Sequence, residues 1–492
     1  MSLLSLKSGT DIRGTAVGKD PALNDDAVRK ITYGFLQYLS EKTGLEPASM
    51  TVCVGHDSRI SADRIKRAVC GVLQACGVSV YDCGLSSTPA MFMTTVELNV
   101  TAAVQITASH HPYDKNGLKF FTRQGGFEGE EIRTVLAYAE QAENVPCVAF
   151  PAPQKSNFME RYAHILREMI VSAVEAEDRE HPLAGFHIVV DAGNGAGGFY
   201  ERVLASLGAD TTGSQFLEPD GMFPNHIPNP ENPTAMSFIC QAVKENHADL
   251  GIIFDTDVDR AACVGADGEE INRNALIALA SVIALEGHPG GTIVTDSVTS
   301  DGLKAFIETH LGGVHYRYKR GYKNVINKAV ELNEQGIDCP LAIETSGHAA
   351  LRENYFLDDG AYLMTKIVIL AARLRREGKT LTSLLETLQR PAEEKEKRYT
   401  ITLADFRPYG EKIIADLENY CKQFDYLTPA DDNREGFRVS FDKAHGDGWL
   451  LLRMSVHDPV LPLNIESNTP GGVAKIEAFF DTFIAKYDSL QS

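Results

Sequence analysis

The sequence predicts an α/β protein with largely parallel or mixed sheets that ends in a smaller α+β block. Three observations carry this. Short apolar runs recur at 50–55, 186–191, 250–255 and 292–296, and each closes in a polar or glycine-containing loop. Helical spacing of apolar residues usually follows, as at 199–204, and strand-then-helix alternation is the signature of α/β units. The pattern changes after the charged stretch 391–398 (PAEEKEKR), which reads as a hinge.

A chain of 492 residues is too long for one core. The proline-rich segment 146–155, the turn-rich segment 265–268 and the hinge at 391–398 suggest four blocks: 1–155, 156–268, 269–390 and 391–492. With 43% hydrophobic and 23% charged residues, the chain has ample material for several cores. The formal net charge of −20 argues against a general nucleic-acid binder, which needs a basic face. It leaves room for an anionic small substrate held by a local basic cluster. Nine cysteines, none in a Cys-x-x-Cys pair, read as reduced thiols of a cytoplasmic protein. The first residues lack the apolar core of a signal peptide, and no run of about 20 apolar residues predicts a membrane helix.

In α/β architectures, ligands collect in loops at the carboxyl ends of strands, and five loops so placed carry chemistry. Ser109 follows the apolar run 100–106 and stands beside His110 and His111, with Lys115 and Lys119 downstream. This set supplies a hydroxyl with basic and proton-transferring neighbours, although a polar turn with a capping serine reads equally well. Asp255, Asp257 and Asp259 alternate along the second loop, ahead of Arg260. Carboxylates so close repel one another unless a cation neutralises them, and hard oxygen ligands suit Mg²⁺, Mn²⁺ or Ca²⁺. An EF-hand is excluded, because Arg260 takes its glycine position and Ala266 its bidentate glutamate position.

The third loop, 191–198 (DAGNGAGG), matches the dinucleotide fingerprint G-x-G-x-x-G. A lone fingerprint is weak, and the acid expected about 20 residues on is not clear, with Asp210 and Glu218 both near. Glu344, Ser346 and His348 alternate in the fourth loop, where they can converge on sugar hydroxyls. Arg453 and Ser455 form the fifth, after a strand-like run, where Arg can grip a phosphate bidentately.

Taken in order, these loops resemble the α-D-phosphohexomutase superfamily, most nearly its phosphomannomutase/phosphoglucomutase members. The segments that carry the likeness are 107–119, 255–260, 344–348 and 453–455, with support from 11–14 (DIRG), 55–59 (GHDSR), 191–198 and 228–231 (PNPE). The likeness is collinear from Asp11 to Ser455. It implies four domains around a central cleft: three α/β mixed-sheet domains, then a C-terminal α+β domain. They carry in turn the phosphoserine loop, the metal loop, the sugar-recognition loop and the phosphate-binding loop.

The resemblance also implies roles. Ser109 carries the phosphoryl group. Asp255, Asp257 and Asp259 bind Mg²⁺ together with a phosphoserine oxygen at Ser109. His110, Lys119 and Arg260 act near the transferring group. Glu344 and Ser346 bind sugar hydroxyls with His348 close by, while Arg453 and Ser455 hold the phosphate that is not reacting. Arg13 is a further phosphate contact. The implied activity is interconversion of hexose 1-phosphate and hexose 6-phosphate, of glucose or mannose, through a hexose 1,6-bisphosphate, with glucose 1,6-bisphosphate as activator. Three other readings stay open: a phosphoglucosamine mutase, a sugar-phosphate-binding protein without turnover, and an NAD-dependent enzyme.

The chain departs from the usual family pattern at several points. His111 stands where Asn is usual, Ile343 where Gly is frequent, and 319–322 (KRGY) resembles a sugar-contacting stretch only loosely. Thr256 stands where Gly is frequent, which denies that position glycine's freedom at positive φ. Val456, His457 and Asp458 replace the usual residues after Ser455, and an aspartate there repels phosphate unless it points away.

Overall fold

The computed structural model describes residues 2–455 and 458–491. It divides into two compact units: Met1–Leu276 with Ser346–Ser383, and Ile277–Thr345 with Leu384–Ser492.

The first unit begins with a mixed sheet. Its chain order runs β1 (Asp11–Thr15), α1 (Asp25–Thr43), β2 (Thr51–His56), α2 (Ala62–Ala75), β3 (Ser79–Leu85), α3 (Thr88–Glu97), β4 (Ala102–Ile106), β5 (Lys115–Thr122) and α4 (Gly129–Gln141). The principal strands lie in the order β1-β5-β4-β2-β3. β2 is parallel to both β3 and β4, while β5 is antiparallel to β1 and β4. Helix α1 starts at Asn24, whose side chain accepts from Ala27 N, and stops at Gly44, which takes φ +69°. Both are ordinary ways to satisfy helix ends. The apolar face of α1 buries Val28, Ile31, Phe35 and Leu39 against the sheet, where the Phe35 and Phe120 rings stack 4.4 Å apart.

After α5 (Phe158–Ala173) comes a smaller sheet made by β6 (Ile188–Asp191), β7 (Leu250–Phe254) and β8 (Ala261–Gly265), with α6 (Phe199–Ala205) and α7 (Pro233–Asn246) between the first two strands. β6 and β7 are parallel and fully buried, as expected of apolar runs without alternation. β7 and β8 are antiparallel and joined by the acidic loop, 255–260. The same unit holds a hairpin of Ala349–Leu351 with Leu357–Asp358 and the helix Gly360–Arg376.

The second unit has parallel strands β9 (Thr292–Thr295), β10 (Val314–Arg317) and β11 (Leu341–Ile343), with α8 (Tyr322–Glu334) between the last two. Its C-terminal part is α+β. Strands β12 (Glu393–Ile401), β13 (Phe437–Phe441), β14 (Gly448–Leu452) and β15 (Val460–Ser467) form an antiparallel sheet in the order β13-β14-β15-β12. Helices α9 (Phe406–Cys421) and α10 (Gly472–Ile484) pack Leu417, Phe480 and Phe483 into its core. Alternation along β14 is visible: Leu450 and Leu452 join that core, whereas Trp449 and Leu451 pack with Val298. No helix among the described residues is long and apolar enough to cross a membrane.

Candidate active site

β4 ends at Ile106, and the chain turns so tightly that Ser109 takes φ +52°, a left-handed conformation that costs a residue with a Cβ. Ser109 is 2% exposed. Its Oγ donates to Asp255 Oδ2 at 3.0 Å and accepts from Arg260 Nη2 at 3.2 Å. His110 Nδ1 lies 3.2 Å from the same Oγ and 2.5 Å from Arg260 Nη2. Arg260 can only donate, so Nδ1 carries the lone pair. Burial, with Arg260 and His111 beside it, pushes the His110 imidazolium far below its ordinary value. His111 stacks on His110 with ring centres 5.0 Å apart, and burial pushes it down to about 4. Both rings are therefore neutral at pH 7.

The acidic loop closes on itself, with Asp255 N donating to Arg260 O at 3.2 Å. The expectation about Thr256 is answered in an unexpected place. Thr256 does not adopt positive φ; Val258 does, at +67°, a costly conformation for a β-branched side chain. Val258 is fully buried, and its carbonyl accepts from Gly360 N at 3.1 Å, so tertiary contacts impose the bend.

Asp255, Asp257 and Asp259 are buried, and each offers an oxygen within 4.8 Å of the others. Burial and its two acidic neighbours push Asp255 well above the usual carboxylate range. Burial would raise Asp259 as well, but Lys119, His348 and Arg260 hold it below. Lys119 Nζ on β5 reaches Asp257 Oδ2 at 2.9 Å and Asp259 Oδ2 at 2.5 Å. Even so, Asp257 Oδ1 and Asp259 Oδ1 are buried without a hydrogen-bond partner. Hard, anionic, unpartnered oxygens suit Mg²⁺ or another hard divalent cation, so the residues present fit such an ion.

Around this centre, the structure adds residues whose roles were not legible in the sequence. Thr88, at the start of α3, donates its N–H to Asp257 O at 2.8 Å and its hydroxyl to Asp257 Oδ2. Asn229 accepts from Arg260 Nη1 at 3.1 Å, and Glu231 lies 3.6 Å from the same nitrogen. These two belong to the PNPE segment, noted above with no role. His348 Nδ1 contacts Asp358 Oδ2 at 2.5 Å and stands 4.0 Å from Asp259 Oδ1. Burial opposes its charge, yet the two carboxylates raise its proton affinity to a value of about 9, so it is an imidazolium at pH 7. Asp358 arrives through the hairpin register, which no local pattern announces.

The glycine run at 191–198 has a packing task. A Cβ on Gly195 would sit 2.5 Å from Thr256 O, and Ala196 N donates to that carbonyl at 2.8 Å. The run supports the acidic loop by close backbone approach. Asp191 is filled by Gly193 N, Gln215 and His226.

Arg13 stands on β1, paired with Asp11 at 2.7 Å, and its charge acts on both His110 and His111. Ser346 is buried in the first unit. Glu344, Arg453 and Ser455 belong to the second unit. Glu344 Oε1 accepts from Gly321 N at 2.5 Å, and Thr345 Oγ1 donates to Asp296 Oδ2 at 2.7 Å. Arg453 is 5% exposed, and its Nε is buried with no hydrogen-bond partner. Burial lowers its proton affinity, while Glu435 and Asp296 oppose that shift. Glu435 Oε2 in turn accepts from Arg320 N at 3.1 Å and from Ser297 Oγ. Val456 and His457 lie outside the described residues. Asp458 is exposed and offers its backbone N–H to Ser455 Oγ at 3.3 Å.

Comparison with known proteins agrees over nearly the whole chain. Residues 6–145, 160–268 and 272–391 match in turn the alpha/beta/alpha domains I, II and III of phosphoglucomutase/phosphomannomutase. The chain is 31% identical over 438 residues to a phosphomannomutase/phosphoglucomutase of Pseudomonas syringae pv. tomato, covering 88% of this chain and 87% of that one. It is 30% identical to a phosphomannomutase of Salmonella montevideo (97% and 98% covered) and 29% identical to a phosphoglucomutase of Neisseria gonorrhoeae (96% and 95%). Among solved structures, a phosphoglucomutase/phosphomannomutase family protein from Burkholderia thailandensis superposes with a TM-score of 0.81 at 26% identity, with 99% of each chain covered. Collinear matches of this extent, together with a serine hydroxyl set against a buried acidic loop, mean that the chain belongs to the phosphoglucomutase/phosphomannomutase family of phosphoryl-transferring enzymes.

Proposed function

We propose that this protein is a phosphosugar mutase interconverting the 1- and 6-phosphates of glucose, mannose or both, with Ser109 as the phosphoryl carrier. The observation that carries the reading is the Ser109 hydroxyl, bonded at once to Asp255 and Arg260 at the edge of three buried carboxylates. Asp255, Asp257 and Asp259, with an oxygen on Ser109, would hold Mg²⁺, which when bound supplies positive charge to the transferring phosphoryl group. The four blocks 1–155, 156–268, 269–390 and 391–492 then each contribute one loop. The enzyme works in the cytoplasm on a small sugar phosphate, cycles through a phosphoserine and is primed by glucose 1,6-bisphosphate.

Phosphoryl transfer leaves the protein little covalent work, and positioning and charge neutralisation carry the rate. In one direction the Ser109 Oγ–P bond breaks as a sugar hydroxyl bonds to phosphorus, and the hydroxyl's proton ends on the freed Ser109 Oγ, forming the 1,6-bisphosphate. The bisphosphate turns over. Ser109 Oγ then takes the other phosphoryl group, its proton leaves, and the vacated sugar oxygen regains one. Asp255 Oδ2, which accepts from Ser109 Oγ at 3.0 Å and whose proton affinity burial raises, takes the serine proton, while neutral His110 stands 3.2 Å from the same Oγ. Imidazolium His348 is a donor at the same centre, and Arg260 and Lys119 balance charge on the equatorial oxygens. Glu344 and Ser346 grip sugar hydroxyls. Arg453 and Ser455 hold whichever phosphate is distal, with Arg13 as a further phosphate contact.

The test is a mutase assay on glucose 1-phosphate with Mg²⁺ and a trace of glucose 1,6-bisphosphate, run on wild type and Ser109→Ala and repeated with mannose 1-phosphate. Wild-type turnover that disappears in a folded Ser109→Ala variant is expected. Full activity in that variant sinks the carrier role. No turnover on either sugar, followed by turnover of glucosamine 1-phosphate, moves the substrate; failure on all three overturns the reading.

A further inference from the structure

Arg59 lies between β2 and α2, and its side chain is fully buried. Its guanidinium serves a single loop. Nη1 donates to Pro112 O at 2.7 Å and Lys115 O at 2.9 Å, and Nη2 donates to His111 O at 2.6 Å and to Ser109 O. Nε faces Asp57 Oδ2 at 3.2 Å. Asp57 also accepts from Arg59 N at 3.0 Å and from Thr107 Oγ1 at 2.7 Å, and Thr107 Oγ1 accepts from Ser109 N at 2.9 Å. The Phe223 ring covers the guanidinium at 5.2 Å.

This arrangement answers two physical problems. Four carbonyls converge at this turn, three of them (Ser109, His111 and Pro112) ahead of the start of β5, and buried carbonyls have to be paired. Ser109 at φ +52° also carries strain, about 1–3 kcal/mol for a residue with a Cβ, and such a conformation persists only when its surroundings over-determine it. A planar fork of five donors can bind several acceptors at once; an ammonium is a compact point charge and cannot reproduce the pattern. Arg59 also holds the loop from its carbonyl side, which leaves the Ser109 side chain to face Asp255 and Arg260.

We propose that Arg59 is a positioning residue that locks the Ser109 loop into the backbone shape from which phosphoryl transfer occurs. This rests on the reading of Ser109 as the carrier. The experiment compares full-length wild type, Arg59→Lys and Arg59→Met. It measures kcat and KM for glucose 1-phosphate, and peptide-level hydrogen–deuterium exchange across the chain. In Arg59→Met, kcat falls about 10²-fold with KM nearly unchanged. Exchange rises at 107–117 and stays unchanged in the C-terminal sheet. Arg59→Lys recovers part of both.

A folded Arg59→Met with wild-type kcat overturns the proposal. So does a loss of kcat with unchanged exchange at 107–117, or a uniform rise across the first unit. Where Arg59→Met does not fold, Thr107→Val removes the Asp57–Thr107–Ser109 link instead. A roughly 10-fold drop in kcat with a local rise in exchange supports the anchor, and no change in either overturns it. If wild type turns over no hexose phosphate, the functional reading falls, and the exchange comparison alone judges the anchor.

Discussion

The acidic loop and the end of β14 leave buried groups of opposite charge without a hydrogen-bond partner. In the acidic loop beside Ser109, Asp255, Asp257 and Asp259, with Asp358 close by, face Lys119, Arg260 and His348, and two carboxylate oxygens, Asp257 Oδ1 and Asp259 Oδ1, are buried without a hydrogen-bond partner. At the end of β14, Arg453 Nε is a buried donor with no hydrogen-bond partner, while Glu435 and Asp296 are engaged by Arg320 N, Ser297 and Thr345. Unsatisfied buried polar atoms cost free energy, so each region is built to be completed by something from outside. The first calls for a cation and the second for an anion. Under the proposed function, these are a divalent ion and a phosphate.

Changes on the acidic side test this contrast most severely. Asp257→Asn removes one of the three carboxylates and is expected to lower kcat about 10²- to 10³-fold. Manganese binding, followed by paramagnetic resonance, weakens in parallel. Wild-type manganese affinity in this variant breaks the contrast. Arg453→Ala follows, with KM for the sugar phosphate raised about 10- to 100-fold, since hydrogen bonds to charged groups contribute about 1.5–3 kcal/mol. A fall in kcat with KM unchanged would move Arg453 out of the anchoring role. Asp358→Asn sharpens the comparison inside the first unit. It removes the nearest counter-charge of His348, and a roughly 10-fold loss in kcat is expected, as for removal of a supporting carboxylate.

The smallest effect is on stability and leaves turnover alone. Glu466 accepts from Trp449 Nε1 at 2.9 Å, and burial pushes its carboxyl up to about 7. Between the ordinary carboxylate value and this one, the folded state binds more protons than the unfolded state. The stabilisation is therefore complete in acid and is lost as pH rises through about 7. Trp449 is the only tryptophan in the chain, so its fluorescence reports unfolding of this region. The urea midpoint of wild type is expected to fall between pH 5 and pH 8, and Glu466→Gln, which can still accept from the indole, flattens that slope. An equal slope in both proteins removes Glu466 as its source.

Much of the fold was legible because its strands are continuous apolar runs. Segments 186–191 and 250–255 contain the buried parallel strands β6 and β7, and a strand buried on both faces has to read that way. The Asp loop was legible for a related reason: three alternating carboxylates after an apolar strand have few explanations besides a cation. The partners of Arg260 were harder. Asn229 and Glu231 stand out as a motif, but their task depends on a loop that returns from elsewhere in the chain. The positive φ of this loop falls on Val258 and not on Thr256, because packing beneath Gly360 decides which residue of that loop bends.

By itself the sequence determined the α/β class, the acidic surplus and the order of the reactive loops, because apolar periodicity and local clusters of charge are written along the chain. Only the tertiary structure decided which groups meet. Asp358 reaches His348 by hairpin register, Thr88 reaches Asp257 across 169 residues, and Arg59 gathers four carbonyls that lie 50 to 56 residues away. A hydrogen bond acts over about 3 Å of space and has no memory of distance along the backbone. Partners that far apart in sequence become neighbours only once the sheets have closed.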